Sequence, residues 1–348
     1  MVSTVWLRFI GTSHSIPDPA NHFSIDMCVS PSTTQIPPFE HTGYPPEIVG
    51  PGFNPSELPT NPVLTTPFKS TMAMIRWNGR RVERVPLLMK YAPFFHTVHI
   101  SMPDMIPEKP PTFHNLTHDQ YPDGERVYIQ LARTMQLLLD EHPDIDGLMY
   151  FHFDAWIDPL AWGGANLNNI QFLSGFNTHL LDTRDGTLRF ACMTDTRSYP
   201  HWWGWQRKWH LQALQALQTL KSYYLGYKVR EDEWCLGWSD IYFIPRRFFA
   251  DYIFLSHVFG CKDVFHEVAV PTMLHIIDQT RRGSPFRSVI DRIGDCWGGC
   301  CDSSARVEDI LWSRCGHRLD YLNQALVDAH YGKLERQAEA LGKPMFDY

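Results

Sequence analysis

The stretch Leu148-Met-Tyr-Phe-His-Phe153, continued by Asp154-Ala-Trp-Ile-Asp158-Pro159, decides the fold of this chain. Its first six residues form an unbroken apolar and aromatic run, which is typical of a central strand buried on both faces. The run ends in the carboxylate of Asp154. Because open α/β sheets bind ligands at the carboxyl ends of their strands, the pattern predicts a ligand site at Asp154.

Outward from this strand, short apolar runs alternate with longer amphipathic segments, which favours one α/β domain. Further strands are predicted at 71–77, 97–101 and 240–245, and residues 104–124 are predicted to be loop. Helices are predicted at 84–91, 125–141, 246–259, 267–278 and 318–341, and around Leu211, Leu214, Leu217 and Leu220. The expected fold class is therefore α/β, with a mixed central sheet flanked by helices.

The N-terminal part of the chain differs in composition from the rest. Residues 17–67 contain 12 of the 26 prolines. Because proline removes a backbone donor and constrains the residue before it, regular helix is excluded there. We therefore predict a Pro-rich strap or stem over 1–66 and a single catalytic domain over 67–348.

Composition excludes several classes of function. The chain has 348 residues, a net charge of -7 and 14% aromatic residues. It has no concentrated basic patch, so nucleic acid is not an expected partner. No apolar run is long enough to span a bilayer, so we expect no transmembrane segment, although a stem of this composition is compatible with an anchor upstream. Disordered and coiled-coil classes are excluded by the apolar and aromatic content.

Eight cysteines leave the redox state of the chain open. Disulfides in a secretory lumen and free thiols are both compatible with their spacing, and the sequon at Asn115-Leu-Thr117 is compatible with that compartment. The group Cys296, Cys300, Cys301 and Cys315-Gly-His317 fits the spacing of a zinc site only loosely.

Asp154 is the strongest candidate for a metal ligand. Hard oxygen ligands hold Mg²⁺ or Mn²⁺, and such an ion neutralises the charge of a diphosphate. His152 lies two residues earlier on the strand, so it faces the same side as Asp154 and is a candidate second ligand. Alternatively, Asp154 only caps the turn, and Asp158-Pro159 starts a helix.

Three motifs together resemble one superfamily. His152-Phe153-Asp154 is similar to the DxD motif of nucleotide-sugar glycosyltransferases with the GT-A fold, with histidine in place of the first acid. Arg76-Trp77-Asn78-Gly-Arg80 resembles the nucleotide-holding segment of exostosin-like glycosyltransferases, and His266-Glu267-Val-Ala-Val-Pro-Thr272 resembles their acidic segment near the sugar. The matches follow the family order over roughly 70–280, and the resemblance implies a GT-A-like, Rossmann-related sheet.

The resemblance also implies roles for individual residues. Mn²⁺ or Mg²⁺ would be held at Asp154 and His152, and a histidine from the C-terminal part, here His317, would complete the metal shell; an exposed loop histidine is the alternative. The nucleotide diphosphate would be held by Arg76, Asn78 and Arg80, whose arginines suit charge-assisted contacts with phosphate.

Two acids are candidates for catalysis. Glu267 is expected to act as a base on the acceptor hydroxyl or to stabilise an oxocarbenium-like transition state, unless it is only an acid that caps or begins helix 267–278. Asp240 is expected to contact acceptor hydroxyls, with Trp238 stacked on a sugar ring, unless it is a turn aspartate.

The expected activity is metal-dependent transfer of a sugar from a nucleotide diphosphate sugar, with a UDP-sugar favoured, to a hydroxyl of a glycan or small aglycone. Two alternatives remain open at this point, a nucleotidyltransferase and a catalytically impaired carbohydrate-binding protein. The expected location is the Golgi lumen or secretory pathway if an upstream anchor has been removed, and otherwise the cytoplasm.

Overall fold

The computed structural model describes residues 66–76, 84–102, 116–121, 123–172, 191–193, 207–223, 226–237, 239–283, 287–294, 296–297 and 304–343. Residues 1–65 of the predicted strap lie outside these ranges. Asn78, Arg80 and Trp238 also lie outside them. In the part of the chain that the structure describes, no helix has the length and apolar character needed to cross a membrane.

The described chain alternates strands and helices. The strands are β1 (Thr71–Arg76), β2 (Thr97–Met102), β3 (Leu116–Gln120), β4 (Gly147–His152), β5 (Ala155–Ile157), β6 (Ile170–Phe172), β7 (Ala191–Met193), β8 (Trp234–Leu236), β9 (Ile241–Pro245), β10 (Ile290–Arg292), β11 (Cys296–Trp297) and β12 (Cys315–His317). The helices are α1 (Val85–Leu88), α2 (Val127–Glu141), α3 (Arg207–Ser222), α4 (Phe249–Gly260), α5 (His266–Arg281), α6 (Val307–Trp312) and α7 (Gln324–Ala340).

The main sheet has seven strands in the order β10-β6-β9-β4-β1-β2-β3. Strands β4, β1, β2 and β3 are parallel, whereas β9 runs antiparallel to both of its neighbours, β4 and β6. The predicted α/β class, with a mixed central sheet flanked by helices, is therefore confirmed. Two smaller sheets, β11-β12-β5 and β7-β8, accompany it.

The order of the strands creates a switch point beside β1. From β1 the chain builds outward to β2 and β3, and then returns to place β4 on the other side of β1. At such a point the connections leave the sheet on opposite faces, so a crevice opens at the carboxyl ends of the two strands. Arg76 and His152 are paired in register at these two ends.

Strand β4 is buried on both faces, as its apolar run predicts. Leu148 and Tyr150 belong to one hydrophobic cluster, together with residues of α2, α4 and α5. Met149 and Phe151 belong to a second cluster on the opposite face, together with residues of α1 and α7. The sheet thus lies between two apolar layers, and this positions the end of β4 rigidly.

The prediction of loop over 104–124 is wrong for β3, which pairs in parallel with β2. Among the described strands, β3 is at the edge of the main sheet and pairs with β2 alone. Its sequence, Leu-Thr-His-Asp-Gln, lacks a hydrophobic run, because an edge strand does not need one.

The helix predicted around four leucines is present as α3, but these leucines do not lie on one face, since Leu211 is 43% exposed and Leu220 is buried. They are nine residues apart, which at about 100° per residue places them on opposite sides of a helix. The terminal helix, predicted from 318, begins at Gln324 because residues 315–317 form β12.

Candidate functional site

Strand β4 delivers two polar side chains to the switch point. His152 is its last residue, and Asp154 lies in the turn that follows. The Nδ1 atom of His152 lies 2.5 Å from the Oδ1 atom of Asp154. Both side chains are mostly buried, with 15% and 12% of their surfaces exposed. The predicted proximity of the two residues is therefore present in the structure.

Strand β12 adds His317 to this pair. The chain turns back after Asp154 into β5, which pairs antiparallel with β12 and places His317 opposite Ala155. As a result, the Nε2 atom of His317 lies 3.1 Å from the Oδ1 atom of Asp154. His317 is buried and belongs to a strand, so the alternative of an exposed loop histidine is wrong.

One glycine makes this approach possible. Gly316 lies directly opposite Trp156 in the β5-β12 pair. A Cβ atom on Gly316 would lie 2.1 Å from the indole ring of Trp156, which is fully buried. Residue 316 must therefore lack a side chain for β12 to pack at this distance.

The three side chains form a set of donors suited to a divalent cation. One ligand atom each from His152, Asp154 and His317 lies within 4.8 Å of the others. Two imidazole nitrogens and one carboxylate oxygen in this arrangement match the donor types that bind first-row divalent ions, with coordination positions left for a substrate. The residues present thus fit the metal that the sequence predicts.

The electrostatics of the cluster favour positive charge beside Asp154. Burial on its own would raise the pKa of Asp154, but hydrogen bonds from His152 and His317 outweigh it and hold that pKa well below its usual range. Burial would lower the pKa of His317, whereas its bond to Asp154 and the charge of Asp240 give a net increase. Asp154 is therefore ionised and attracts a cation.

Asp154 does not serve as the turn cap that was considered as an alternative. Its Oδ1 atom accepts from the two histidines, and its Oδ2 atom accepts from Arg318 Nε at 3.3 Å. The cap is Asp158, whose side chain accepts from the backbone N–H groups of Leu160 and Ala161 at the start of a 3₁₀ helix. Asp154 and Asp158 therefore have different roles. The expectation that Asp158-Pro159 starts a helix is confirmed.

Asp240 lies across from β4, just before β9. Its backbone oxygen accepts from the N–H of His152 at 2.9 Å, which fixes it beside the end of β4. Its Oδ1 atom lies 4.0 Å from the Nε2 atom of His317. The structure thus brings Asp240 to the edge of the histidine and carboxylate cluster, while its predicted contact with an acceptor stays a prediction.

Glu267 lies in the first turn of α5. The N-cap residue is Phe265, so Glu267 is not the cap. Its Oε2 atom is buried and has no hydrogen-bond partner among the described residues. Burial raises the pKa of Glu267 well above its usual value, and repulsion from Asp240 raises it further. A desolvated carboxyl beside another acid makes Glu267 a candidate functional residue.

Arg76 lies at the predicted place, the carboxyl end of β1, but it is buried. Its Nη1 atom donates to the carbonyl oxygen of Tyr121 at 2.8 Å and to the hydroxyl of Ser101 at 3.4 Å. These bonds hold strands β1 and β2 together with the end of β3. A contact of Arg76 with a diphosphate stays a prediction, as do those of Asn78 and Arg80, which lie outside the described residues.

A cavity of about 480 Å³ opens beside Asp154. It contains two arginines that the sequence analysis did not single out, Arg84 and Arg318. The rings of Phe153 and Tyr321 also line it, with centroids 6.3 Å apart and planes inclined by 23°. The guanidinium of Arg84 lies 4.2 Å from the centroid of the Tyr321 ring. The cavity lining thus combines the carboxylates of Asp154 and Asp320, two arginines and two aromatic rings.

The second group of possible metal ligands is Cys192, Cys235 and His275. Its two sulfur atoms are joined in a disulfide between β7 and β8, so they are not available to an ion. Cys296 and Cys315 form another disulfide. Cys296 and Cys315, whose spacing fitted a zinc site only loosely, are therefore not available as thiolate ligands.

No protein-family model matches this chain, and no curated protein is significantly similar to it.

The sequence contains one indication of Arg318, because this residue directly follows the candidate ligand His317. It contains no indication of Arg84, because the distance of Arg84 from Asp154 depends on the fold of the chain between β1 and α1. Neither arginine was predicted as a site residue. An arginine is usually a solvated surface residue, and only the cavity distinguishes these two.

Proposed function

We propose that the protein is a divalent-metal-dependent glycosyltransferase with a GT-A-like fold. It would move a sugar from a nucleotide diphosphate sugar, with a UDP-sugar favoured, to a hydroxyl of a glycan or small aglycone. The observation that supports this most strongly is the cluster of His152, Asp154 and His317 at the switch point, beside a cavity containing Arg84 and Arg318.

The donor set and the cavity have complementary tasks. His152, Asp154 and His317 would hold Mn²⁺ or Mg²⁺, which when bound neutralises the charge of a diphosphate leaving group. Arg318 is half-exposed and lines the cavity. Its guanidinium donates to Asp154 and can also donate to phosphate oxygens. Phe153 and Tyr321 offer flat apolar surface against which a base or sugar ring packs.

Glu267 and Asp240 are the proposed groups on the acceptor side. Burial and the neighbouring Asp240 raise the pKa of Glu267, so its carboxyl keeps a proton to higher pH than an ordinary glutamate does. A protonated carboxyl in a buried site donates a hydrogen bond to an acceptor hydroxyl, and once ionised it accepts the proton of that hydroxyl. The raised pKa of Glu267 is closer to neutral pH than that of an ordinary carboxyl, and proton transfer is most efficient when the pKa is near the working pH.

The strand order is compatible with the proposal. In the main sheet the reversed strand β9 lies next to β4, so the backbone of Asp240, just before β9, hydrogen-bonds His152 at the end of β4. Two disulfides favour an oxidising compartment, and we propose the secretory pathway, with the Golgi lumen as the expected location of such an enzyme.

A thermal-shift screen of the full chain with UDP, GDP, CMP and their sugars, with and without Mn²⁺, tests this function. A ligand present at a hundred times its Kd stabilises the native state by about 2.7 kcal/mol, which for this chain length is roughly 4 °C. We expect UDP with Mn²⁺ to produce such a shift. Asp154→Asn should abolish the part that depends on the metal.

The matched control is Asp291→Asn. Asp291 accepts from the side-chain amide of Asn169 at the far edge of the main sheet, so this variant should keep the full response to UDP and Mn²⁺. If no nucleotide shows a metal-dependent shift with the wild-type protein, the proposed function fails. A shift without any release of nucleotide from UDP-sugars in the presence of acceptors would instead favour the carbohydrate-binding alternative.

A further inference from the structure

A second cavity, of about 530 Å³, lies between helix α7 and residues 84–90, the segment that includes α1. We call it the α1–α7 groove. Its volume is within the range of about 300–1,000 Å³ that is typical of ligand pockets. Arg84 and Tyr321 line both this groove and the cavity beside Asp154, so the two spaces adjoin.

Helix α7 contributes one continuous face to the groove. The residues of this face are Gln324, Val327, Asp328, Tyr331, Gly332 and Glu335. Their spacings of three and four residues place them on the same side of a helix. From Gln324 to Glu335 the face extends about 16 Å along the helix axis. The groove is therefore long enough for a ligand of more than one ring.

Gly332 keeps the wall of the groove open. It lies in the middle of α7, where glycine is less favourable than alanine because it loses more conformational freedom on folding. Packing does not require a glycine there, because an added Cβ atom would contact only the Nη1 atom of Arg336, at 3.4 Å. That atom is the end of a flexible side chain and can move away. The missing side chain at 332 therefore widens the groove without a benefit to packing.

The two walls of the groove present complementary hydrogen-bonding groups. Arg84 and Lys90 supply donors on the α1 side, and Gln324, Asp328 and Glu335 supply acceptor oxygens on the α7 side. The side chain of Gln324 donates to Asp328 Oδ1 at 2.7 Å, and that of Lys90 donates to Glu335 Oε1 at 2.5 Å. Among the described residues, the guanidinium of Arg84 and the second carboxylate oxygens of Asp328 and Glu335 form no hydrogen bond.

This arrangement favours an uncharged ligand rich in hydroxyl groups. An anion would be repelled by Asp328 and Glu335, and a cation by Arg84 and Lys90. A wholly apolar ligand would remove these charged groups from water without replacing their hydrogen bonds to it. A hydroxyl group both donates and accepts, so it can bond to either wall.

The groove also offers apolar surface to a sugar ring. Leu87, Val327 and Tyr331 line it together with the polar groups. The hydroxyl groups of Tyr331 and Tyr321 are hydrogen-bonded to each other at 2.7 Å, which fixes both rings. The apolar face of a pyranose packs on such surface while its hydroxyl groups bond to the walls.

We propose that the α1–α7 groove binds an uncharged oligosaccharide of at least two sugar units. This site goes beyond the proposed function, because binding there needs neither a metal ion nor a nucleotide. Since the groove adjoins the cavity beside Asp154, a glycan bound in it lies next to the proposed reaction site.

Saturation-transfer difference NMR of the full chain in EDTA tests the site. The neutral probes are cellotetraose, maltotetraose and chitotetraose, and tetragalacturonate is the anionic comparison. We expect at least one neutral probe to bind, and to bind more tightly than tetragalacturonate.

Gly332→Leu should weaken binding of that probe by about tenfold or more, because the leucine side chain occupies the groove. Its melting temperature should not fall, since leucine favours helix more than glycine does. The matched control is Ala340→Leu, at an exposed position of α7 outside the groove, which should bind as the wild-type protein does.

The outcomes are separate from those of the metal site. If none of the three neutral probes binds, the groove is not a glycan site, whatever the response to UDP with Mn²⁺. Equal binding by the wild-type protein and Gly332→Leu would place the saccharide elsewhere, and tighter binding of tetragalacturonate would refute the preference for an uncharged ligand. Should Gly332→Leu not fold, Asp328→Ala, at an exposed position of α7, replaces it, and unchanged binding by that variant refutes the site.

Discussion

Glu267 shows at the scale of one residue how burial and function are connected. A buried carboxyl whose Oε2 atom has no partner among the described residues costs stability. The first-turn position in α5 offsets part of this cost, because the helix dipole favours negative charge there. However, a first-turn acid gains the same benefit when it is exposed, so the dipole does not explain why Glu267 is buried beside Asp240.

We expect Glu267→Gln to reduce turnover strongly while leaving nucleotide binding intact. Removal of an acid-base or charge-stabilising group lowers kcat by roughly a hundredfold or more. Transfer from a UDP-sugar and the thermal response to UDP with Mn²⁺ are the two measurements. Glu233→Gln is the matched control, since Glu233 pairs with His275 away from the donor set. Unchanged turnover would remove Glu267 from catalysis.

The same residue predicts how stability depends on pH. The native pKa of Glu267 is raised, so its stabilising effect is complete below the unfolded pKa of about 4.3 and is lost as pH rises towards the native pKa. Glu267→Gln removes this dependence. In chelator-treated protein, the free energy of unfolding of the variant should therefore improve relative to wild type between pH 4.5 and about 7.5. A constant difference across this range would show that the carboxyl is ionised in the native state.

Sequence reasoning identified some members of the site and not others, for physical reasons. His152 and Asp154 are two residues apart, and the two-residue period of a strand is a local property. The position of His317 depends on pairing with a segment about 160 residues earlier, which no local period indicates. Its role was suggested only by resemblance. Arg84 and Arg318 became candidates only when the cavity was seen.

At the scale of elements, the pair β5 and β12 determines whether the site forms. Strand β5 has only three residues, Ala155–Ile157, and all of them are buried. Its tryptophan ring fills the space above Gly316 and stacks on Trp297 of β11, with centroids 5.6 Å apart. The position of His317 therefore depends on the packing of Trp156.

Gly316→Ala tests this dependence. A methyl group 2.1 Å from the Trp156 ring cannot be accommodated without displacing β12 or the indole. Overpacking of this kind costs about 1–3 kcal/mol, and we expect Mn²⁺ affinity to fall with stability because His317 is the next residue. Gly164→Ala is the control, since nothing lies within 4 Å of its added Cβ atom. If Mn²⁺ binds normally to Gly316→Ala, the placement of His317 does not depend on this packing.

The elements also show which sequence patterns predict secondary structure and which do not. The buried strand β4 and the helix α2 were predicted correctly because each repeats a strong period, and Val127, Leu131, Met135 and Leu138 of α2 are all buried. Strand β3 was missed because an edge strand can be polar. Strands β5, β11 and β12 were missed because two or three residues are too few to show a period.

For the whole molecule, the site lies where two sheets meet. The main sheet contributes His152 and the residues just outside β4 and β9, and the small sheet β11-β12-β5 contributes His317. The donor set is therefore complete only when the small sheet is docked on the main one. Two disulfides between described strands act on different parts of this arrangement, because Cys296–Cys315 lies within the small sheet and Cys192–Cys235 lies between β7 and β8.

Removing each disulfide separately should distinguish global stability from the integrity of the site. The bridged residues are 19 apart for Cys296–Cys315 and 43 apart for Cys192–Cys235, so loop-closure entropy predicts losses of about 3 and about 4 kcal/mol. Cys192→Ala/Cys235→Ala should lower the melting temperature at least as much as Cys296→Ala/Cys315→Ala. Only Cys296→Ala/Cys315→Ala should weaken Mn²⁺ binding, because Cys315 begins the strand that ends in His317. Equal Mn²⁺ affinity in both double variants would mean that pairing with β5 alone holds His317 in place.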